Sequence, residues 1–264
     1  MENDSMDDTK PSVIPPELAV PGPNLVGATG GSGTRVVAKI LRRAGLYTGD
    51  KLNPYEDAVE FGFYSDRWIN RYLAAGELPE DMRGEMETDL RSVLADHAGA
   101  IPAEAAAWGW KEPRSIYLLR FWNETMPSIR FLHFLRDGRD MAFSENQQQL
   151  TKHGDAVLGD DLRKAKTPTR SIAVWTRVNL AAADYGEREL GSRYLRVRFE
   201  DLCADPASNV ARIYDFFGLE GDAEAAAAEV RPPDTLGRWE LRRKRVIEEL
   251  NETAEPALAR FGYL

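Results

Sequence analysis

The chain has only one cysteine in 264 residues, which excludes a disulfide within the chain. A protein without disulfides fits a reducing compartment, and we expect a cytoplasmic location. Cys203 follows Phe-Glu-Asp-Leu, and no group that would stabilise a thiolate stands beside it. We therefore interpret Cys203 as a small packed side chain and not as a nucleophile.

Histidine is also scarce, which limits the metal sites that the chain can form. The three histidines, His97, His133 and His153, show no metal-ligand spacing. His133 lies inside an apolar run, where a hydrogen-bonded core histidine is the usual arrangement. We predict no metal site.

Long apolar runs and excess basic charge are absent as well. No apolar run is long enough to span a bilayer, so we predict no membrane segment. The net charge of −9 argues against a general nucleic-acid-binding protein. Residues 1–22 are acidic and proline-rich and lack the pattern of a signal peptide. They are predicted to form a disordered lead-in to a single domain over residues 23–264.

Short apolar runs alternate with helical patterns along the rest of the chain. Such alternation predicts βαβ units, and hence a three-layer α/β fold with a mainly parallel central sheet and helices on both faces. In these folds ligands bind at the carboxyl ends of the strands. The polar loops predicted to meet there are Gly27–Thr34, Lys111–Arg114, Arg136–Asp140 and Phe199–Asp205.

The first of these loops has the composition of an anion site. Its sequence, Gly-Ala-Thr-Gly-Gly-Ser-Gly-Thr-Arg, follows an apolar run and precedes a helical pattern, which predicts a P-loop-like strand–loop–helix. Backbone N–H groups at a helix N-terminus bind phosphate. A triphosphate-binding loop needs a lysine before its Ser/Thr, but Gly33 precedes Thr34 here. A plain strand-to-helix turn is the alternative.

Two further loops supply candidate cations. Arg136 follows an apolar run, and Ser144 lies eight residues later, about two turns into the predicted helix. Charge from one and a hydroxyl from the other can hold a phosphate. Lys111 ends another apolar run beside Glu112 and is the candidate for the cation that the glycine loop lacks. Surface ion pairs with neighbouring carboxylates are the alternative for both cations.

Two later segments give weaker signals. Phe199 could lie against a base, or it could be a core residue. Gly237, Arg238 and Trp239 form a loop before a basic C-terminal helix, where a cation and an aromatic ring could close over a nucleotide. A solvated basic face is the alternative.

In order and spacing these motifs resemble the sulfotransferases that use 3′-phosphoadenosine 5′-phosphosulfate (PAPS), from Leu25 to about Trp239. Ser32-Gly33-Thr34 is similar to the Ser-Gly-Thr of the family's 5′-phosphosulfate loop. The spacing of Arg136 and Ser144 resembles its 3′-phosphate motif. The donor-binding residues that the resemblance implies are Gly30, Gly31, Ser32, Gly33, Thr34, Arg35, Arg136, Ser144, Phe199, Gly237, Arg238 and Trp239.

The chain departs from the family pattern at the position before Ser-Gly-Thr, which is basic in the family and is Gly31 here. By resemblance, Lys111 is the catalytic cation that replaces it. Arg35 could also help, although we expect the helix direction to point it away from the loop mouth.

The catalytic histidine of the cytosolic members is not evident either. Other members use a glutamate, and Glu112 is the first candidate for the catalytic base. Glu60 and Asp66 are the further candidates for the base.

The implied activity is in-line transfer of a sulfuryl group to a hydroxyl of a small-molecule or carbohydrate acceptor. A polar segment over residues 147–170 is interpreted as a mobile flap over the acceptor. A P-loop kinase of small molecules and a nucleotide-binding protein without catalysis are the alternative functions. The aromatic residues that either line the acceptor site or pack a helix onto the sheet are Tyr55, Phe61, Phe63, Tyr64 and Trp68.

Overall fold

The computed structural model describes residues 12–16 and 18–264. Its centre is a five-stranded sheet in the order β2-β3-β1-β4-β5, with parallel pairing between all neighbours. The predicted α/β fold with a parallel sheet is confirmed. The strands are β1 (Asn24–Ala28), β2 (Leu46–Tyr47), β3 (Ala107–Lys111), β4 (Arg130–Leu135) and β5 (Tyr194–Arg198).

Helices connect the strands and cover both faces of the sheet. Short 3₁₀ segments and one π segment, Gly186–Leu190, interrupt the connections. The α-helices are α1 (Thr34–Arg43), α2 (Val59–Ala75), α3 (Glu80–Gly99), α4 (Leu119–Thr125), α5 (Gly138–Ala142), α6 (Gln148–Leu158), α7 (Thr167–Tyr185), α8 (Phe199–Ala204), α9 (Pro206–Phe217), α10 (Ala223–Ala227) and α11 (Lys244–Arg260).

The alternation of side chains along the strands divides the core into two layers. Leu25 and Phe131, paired across β1 and β4, belong to the layer that also holds most of the tryptophans. Their successors Val26 and Leu132 belong to the opposite layer, against α1 and α9. Both faces of the sheet are therefore buried, which explains why these strands are continuously apolar in sequence.

Three of the aromatic residues considered for the acceptor site belong to the first core layer. Phe61, Tyr64 and Trp68 are at most 3% exposed. The ring of Phe61 stacks on Trp110 with centroids 3.9 Å apart and an interplanar angle of 7°. These residues pack α2 onto the sheet.

Part of the predicted lead-in contacts the domain. Val13 is buried in the first core layer, and the carbonyl of Pro21 accepts a hydrogen bond of 2.9 Å from the N–H of Trp108. Residues 1–11 and 17 lie outside the described residues. Within the described residues, no helix has the length and apolar character needed to cross a membrane.

The predicted core positions of two polar residues agree with the structure. His133 is fully buried, with its ring nitrogens 2.6 Å from the Tyr194 hydroxyl and 2.8 Å from the Asn179 carboxamide oxygen. Cys203 is partly buried and packs against the second core layer.

Candidate active site

A cleft of about 760 Å³ opens where β1, β3 and β5 end. Three of the loops predicted from the sequence line it, because the carboxyl ends of parallel strands meet at one edge of the sheet. The predicted site residues that line the cleft are Gly30, Gly31, Gly33, Thr34, Arg35, Glu112 and Phe199.

The glycine loop has a backbone that requires glycine at two positions. Gly31 and Gly33 have φ angles of +84° and +85°, a region that side chains disfavour. The buried Ser32 hydroxyl donates to the carbonyl of Thr29 at 2.6 Å and so holds the loop together. Among the described residues, no group accepts a hydrogen bond from the N–H of Gly31, Ser32 or Gly33. These N–H groups are available to an anion, at the N-terminus of α1.

Phe199 connects this loop to a second group of predicted residues. A Cβ added at Gly33 would lie 2.9 Å from the Phe199 ring, so glycine permits the close approach. The guanidinium of Arg136 lies 5.4 Å from the centroid of the same ring. Phe199 is itself only 4% exposed, which makes it a packed residue at the edge of the cleft.

The second group meets at the carboxylate of Asp140. Arg136 donates to it at 2.8 Å, and the N–H groups of Gly237 and Trp239 donate at 2.9 and 3.2 Å. Arg238 donates instead to the carbonyl of Thr235 at 3.1 Å. One charged side chain and two backbone donors thus converge on one anionic group.

Ser144 lies next to the glycine loop. Helix α5 ends at Ala142, so Ser144 follows the helix, which corrects the expectation of a position two turns inside it. Its Oγ would be 3.4 Å from a Cβ on Gly31 and accepts from the N–H of Asn146 at 3.2 Å. Within the described part of the chain, no hydrogen bond joins Ser144 to Arg136.

Lys111 does not reach the glycine loop. Its side chain is fully buried, pairs with the carboxylate of Asp57, and donates to the carbonyl of Tyr55 at 2.6 Å. Burial lowers the pKa of Lys111, and the nearby Asp57 carboxylate opposes this shift. The structure therefore places this cation in an internal ion pair instead of at the mouth of the loop.

Glu112 lies at the cleft and is only 3% exposed. Its carboxylate accepts from Arg114 Nε at 2.8 Å and from Ser65 Oγ at 3.3 Å. Burial raises the pKa of Glu112 above that of an ordinary glutamate, although Arg114 acts in the opposite direction. A carboxyl of this kind is suited to proton transfer.

The two further candidates for the base have different environments. Asp66 lines the cleft and pairs with Arg114 and Lys152. Burial acts to raise its pKa, but hydrogen bonds and charge from Lys152 and Arg114 lower it overall. Glu60 is outside the cleft lining and is bound to His97 Nδ1 at 2.9 Å.

Three cations of the cleft have no carboxylate partner within the part of the chain that the structure describes. They are Arg35, Lys39 and Arg231. The sequence motifs did not indicate Lys39 or Arg231. Lys39 is four residues after Arg35 and so shares its helix face, a spacing that could have identified it. Arg231 belongs to no motif, and only the fold brings it to the cleft.

The remaining predicted acceptor residues lie at the cleft mouth. Tyr55 and Phe63 are 54% and 70% exposed and line the cleft. The segment predicted as a flap contains the packed helix α6, and Asn70 donates to the carbonyl of Lys152 at 2.8 Å. Gln148, Gln149 and Lys152 of this segment line the cleft.

No metal site accompanies these residues. Among the described residues, no group of three or more His, Cys, Asp or Glu side chains is arranged to hold a metal ion.

The model of the sulfotransferase family matches residues 29–223. The chain belongs to the sulfotransferase family. Its class of activity is therefore sulfuryl transfer. No curated protein sequence matches the chain.

Solved sulfotransferase structures share the fold. The sulfotransferase from Alicyclobacillus acidocaldarius is 16% identical, with 91% of this chain and 94% of that chain covered and a TM-score of 0.54. Sulfotransferase STF9 from Mycobacterium avium is 12% identical, with coverage of 91% and 77% and a TM-score of 0.56. The sulfotransferase domain of the Synechococcus PCC 7002 olefin synthase is 19% identical, with coverage of 90% and 86% and a TM-score of 0.51.

Proposed function

We propose that this sulfotransferase moves a sulfuryl group from PAPS to a hydroxyl of a small-molecule or carbohydrate acceptor and releases adenosine 3′,5′-bisphosphate. The observation that supports this most is the composition of the cleft. The cleft is lined by glycine-loop residues whose N–H groups have no acceptor among the described residues, by three cations without a carboxylate partner in the same part of the chain, and by the buried carboxylate of Glu112.

The residues present fit an anionic nucleotide donor. PAPS, when bound, supplies the activated sulfuryl group. The N–H groups of residues 31–33 and the N-terminus of α1 would hold its phosphosulfate. Arg136 and Ser144, with the loop of Gly237, Arg238 and Trp239, are the residues that we assign to its 3′-phosphate. Phe199 packs between the two sets of residues.

On the acceptor side, Glu112 is the proposed general base. Its raised pKa makes the carboxylate a better proton acceptor than an ordinary glutamate. Asp66 is a weaker base, because two cations stabilise its ionised form. The exposed rings of Tyr55 and Phe63 offer apolar faces on which a ring of the acceptor can stack.

Thermal unfolding with added nucleotide tests the donor class directly. A ligand that binds only the folded protein stabilises it by about 2.7 kcal/mol at a hundredfold excess over its Kd. We expect a higher melting temperature with adenosine 3′,5′-bisphosphate and no shift with Mg-ATP. A shift with Mg-ATP alone would replace the proposal with a kinase. Binding of the bisphosphate without transfer from PAPS to any acceptor would leave a nucleotide-binding protein.

A further inference from the structure

The loop over residues 53–57 is held in one conformation by its own hydrogen bonds. The Asn53 side-chain oxygen accepts from the N–H groups of Tyr55 and Asp57 at 2.8 and 3.1 Å. Its nitrogen donates to the Asp57 carboxylate at 2.9 Å. Glu56 has a φ of +66°, which residues other than glycine seldom adopt. The ring of Tyr55 therefore extends from a fixed backbone.

Lys111 fastens this loop to the end of β3. Its ammonium binds the carbonyl of Tyr55 and the carboxylate of Asp57, and its own carbonyl accepts from the N–H of Ala58 at 3.0 Å. The side chain is fully buried. Lys111 thus holds the backbone of the loop in place from the protein interior, although it does not line the cleft.

The loop also runs along one face of α1. Arg42 pairs with Glu56, and the guanidinium of Arg35 lies 5.2 Å from the centroid of the Tyr55 ring. Side chains of a helix tilt toward its N-terminus, and for Arg35 this is the direction of the glycine loop. Arg35 lines the same cleft as Gly31 and Gly33. Its direction relative to the mouth of the loop stays a prediction.

A transferring sulfuryl group needs positive charge, and Arg35 is the cleft cation nearest in sequence to the glycine loop. The segment from Gly27 to Thr34 contains no cation, and the charge of Lys111 is used by Asp57. Arg35 lines the cleft beside the glycine loop and contacts Tyr55, which lies on the acceptor side. In the described part of the chain no carboxylate pairs with Arg35, so its guanidinium is available to an anion.

We propose that Arg35 is a catalytic residue that stabilises the charge on the transferring sulfuryl group and the departing phosphate oxygen, and that Tyr55, fixed by Lys111, positions it. This rests on the proposed function. A bond forms between the acceptor oxygen and sulfur while the bond from sulfur to the bridging phosphate oxygen breaks. That electron pair leaves with adenosine 3′,5′-bisphosphate, and the acceptor proton passes to Glu112. A guanidinium held over an aromatic face keeps its donors free for such an anion.

The test compares Arg35→Gln with Lys39→Gln. Both variants remove one unpaired cation from the same helix and the same cleft, but only Arg35 contacts Tyr55. The measured quantity is the single-turnover rate at which the donor bond of PAPS breaks, with 4-nitrophenol as the acceptor. Sulfuryl transfer to water is added to transfer to 4-nitrophenol, because both reactions break the same bond. Loss of one such donor commonly slows catalysis roughly a hundredfold, which is the expectation for Arg35→Gln. Lys39→Gln should slow the reaction much less than Arg35→Gln does.

Two substitutions of Tyr55 test whether its ring positions Arg35 or only contributes to the stability of the fold. Tyr55→Phe retains the aromatic face and should react faster than Tyr55→Leu. Tyr55→Leu should react more slowly, with an unchanged Kd for adenosine 3′,5′-bisphosphate. Equal rates for Tyr55→Phe and Tyr55→Leu would refute the positioning role. Equal rates for Arg35→Gln and Lys39→Gln would refute the catalytic role.

A different set of results would show that the proposed function itself is wrong. In that case the wild-type protein would show neither breakage of the donor bond nor a thermal shift with the bisphosphate, and the role of Arg35 would fall with it. A full rate in Arg35→Gln with normal bisphosphate binding would overturn only the role of Arg35.

Discussion

Arg136 and Asp140 form a buried ion pair, with a separation of 2.8 Å and side-chain exposures of 4% and 1%. The same carboxylate accepts the N–H groups of Gly237 and Trp239. Asp140 therefore holds Arg136 next to the loop of Gly237 and Trp239, and we assign both to the 3′-phosphate site of the nucleotide. The pair connects the end of β4 to the segment before α11.

We expect Arg136→Met to weaken the binding of adenosine 3′,5′-bisphosphate by roughly tenfold to a hundredfold, since a hydrogen bond to a charged group contributes about 1.5–3 kcal/mol. The substitution also leaves Asp140 unpaired, which destabilises by about 3–5 kcal/mol. The double variant Arg136→Met/Asp140→Asn removes that charge and should recover much of the stability. Calorimetric titration of both variants measures the affinity.

The neighbouring pair of Arg139 and Asp137 supplies a matched control. It is also buried, with a separation of 2.8 Å. The guanidinium of Arg139 also lies 3.7 Å from the centroid of the Trp239 ring, so Arg139→Met should reduce the melting temperature and weaken bisphosphate binding less than Arg136→Met does. Wild-type affinity in the Arg136→Met/Asp140→Asn double variant would contradict the 3′-phosphate assignment.

Gly33→Ala should impair both folding and donor binding. Its left-handed backbone disfavours a side chain, at about 1–2 kcal/mol, and the added methyl group would meet the Phe199 ring at 2.9 Å. Gly218→Ala introduces the same backbone strain, at φ +66°, against the flexible end of Arg130 only. We expect a larger loss of melting temperature at Gly33 and a loss of bisphosphate affinity there alone. Equal effects at the two glycines would mean that the contact with Phe199 is unimportant.

The sequence predicted the parts of the fold that depend on local pattern. The strand–loop–helix predicted around the glycine loop is present as β1 and α1, because the apolar run of the strand, the glycine loop and the amphipathic helix follow one another directly. The strand β2, Leu46–Tyr47, has two residues, which are too few to show the apolar or alternating pattern of a strand. Its pairing with β3 defines it. The end of α5 was misplaced, because nothing in the residues after Asp140 marks a stop at Ala142.

The site was only partly predictable, because its ion pairs join distant segments. Lys111 was assigned to the glycine loop from its place at a strand end. Its true partner, Asp57, is 54 residues away in sequence, and no motif connects the two. Arg231 reaches the cleft for the same reason, through the packing of the segment after α10. By contrast Glu112 follows β3 directly, and its position at the cleft was predicted.

Acid should destabilise the protein partly through His133. Burial lowers the pKa of His133 from 6.5 to about 4, although the hydrogen bond with Asn179 opposes the shift. The unfolded chain therefore binds the proton first, so stability decreases as the pH falls from 6.5 toward 4. The slope from this one group is about 1.4 kcal/mol per pH unit.

Urea unfolding of His133→Gln across this pH window measures the contribution. The variant should lose less stability on acidification than the wild-type protein does. A comparable slope in both proteins would assign the acid sensitivity to other groups, of which the buried His153, with a pKa also lowered by burial to about 4, is the next to substitute.

The pH dependence of the rate should report on Glu112. The ionised carboxylate is the proposed base, and burial raises its pKa above 4.5, so the rate should fall on the acid side with a midpoint above that value. The charge of Arg114 lowers the pKa of Glu112, so Arg114→Met should move the midpoint to higher pH. Lys152→Met is the control, because Lys152 pairs with Asp66. In the described part of the chain, Lys152 forms neither a hydrogen bond nor an ion pair with Glu112.

The two variants distinguish the candidate bases. If Asp66 were the base, Lys152→Met would also raise the midpoint, since Lys152 lowers the pKa of Asp66. Stability gives an independent readout for Glu112. Because its folded-state pKa is raised, its favourable contribution to stability is present at low pH and is lost as the pH rises through that pKa. Glu112→Gln should therefore gain stability relative to wild type as the pH increases, while its transfer rate stays low at every pH.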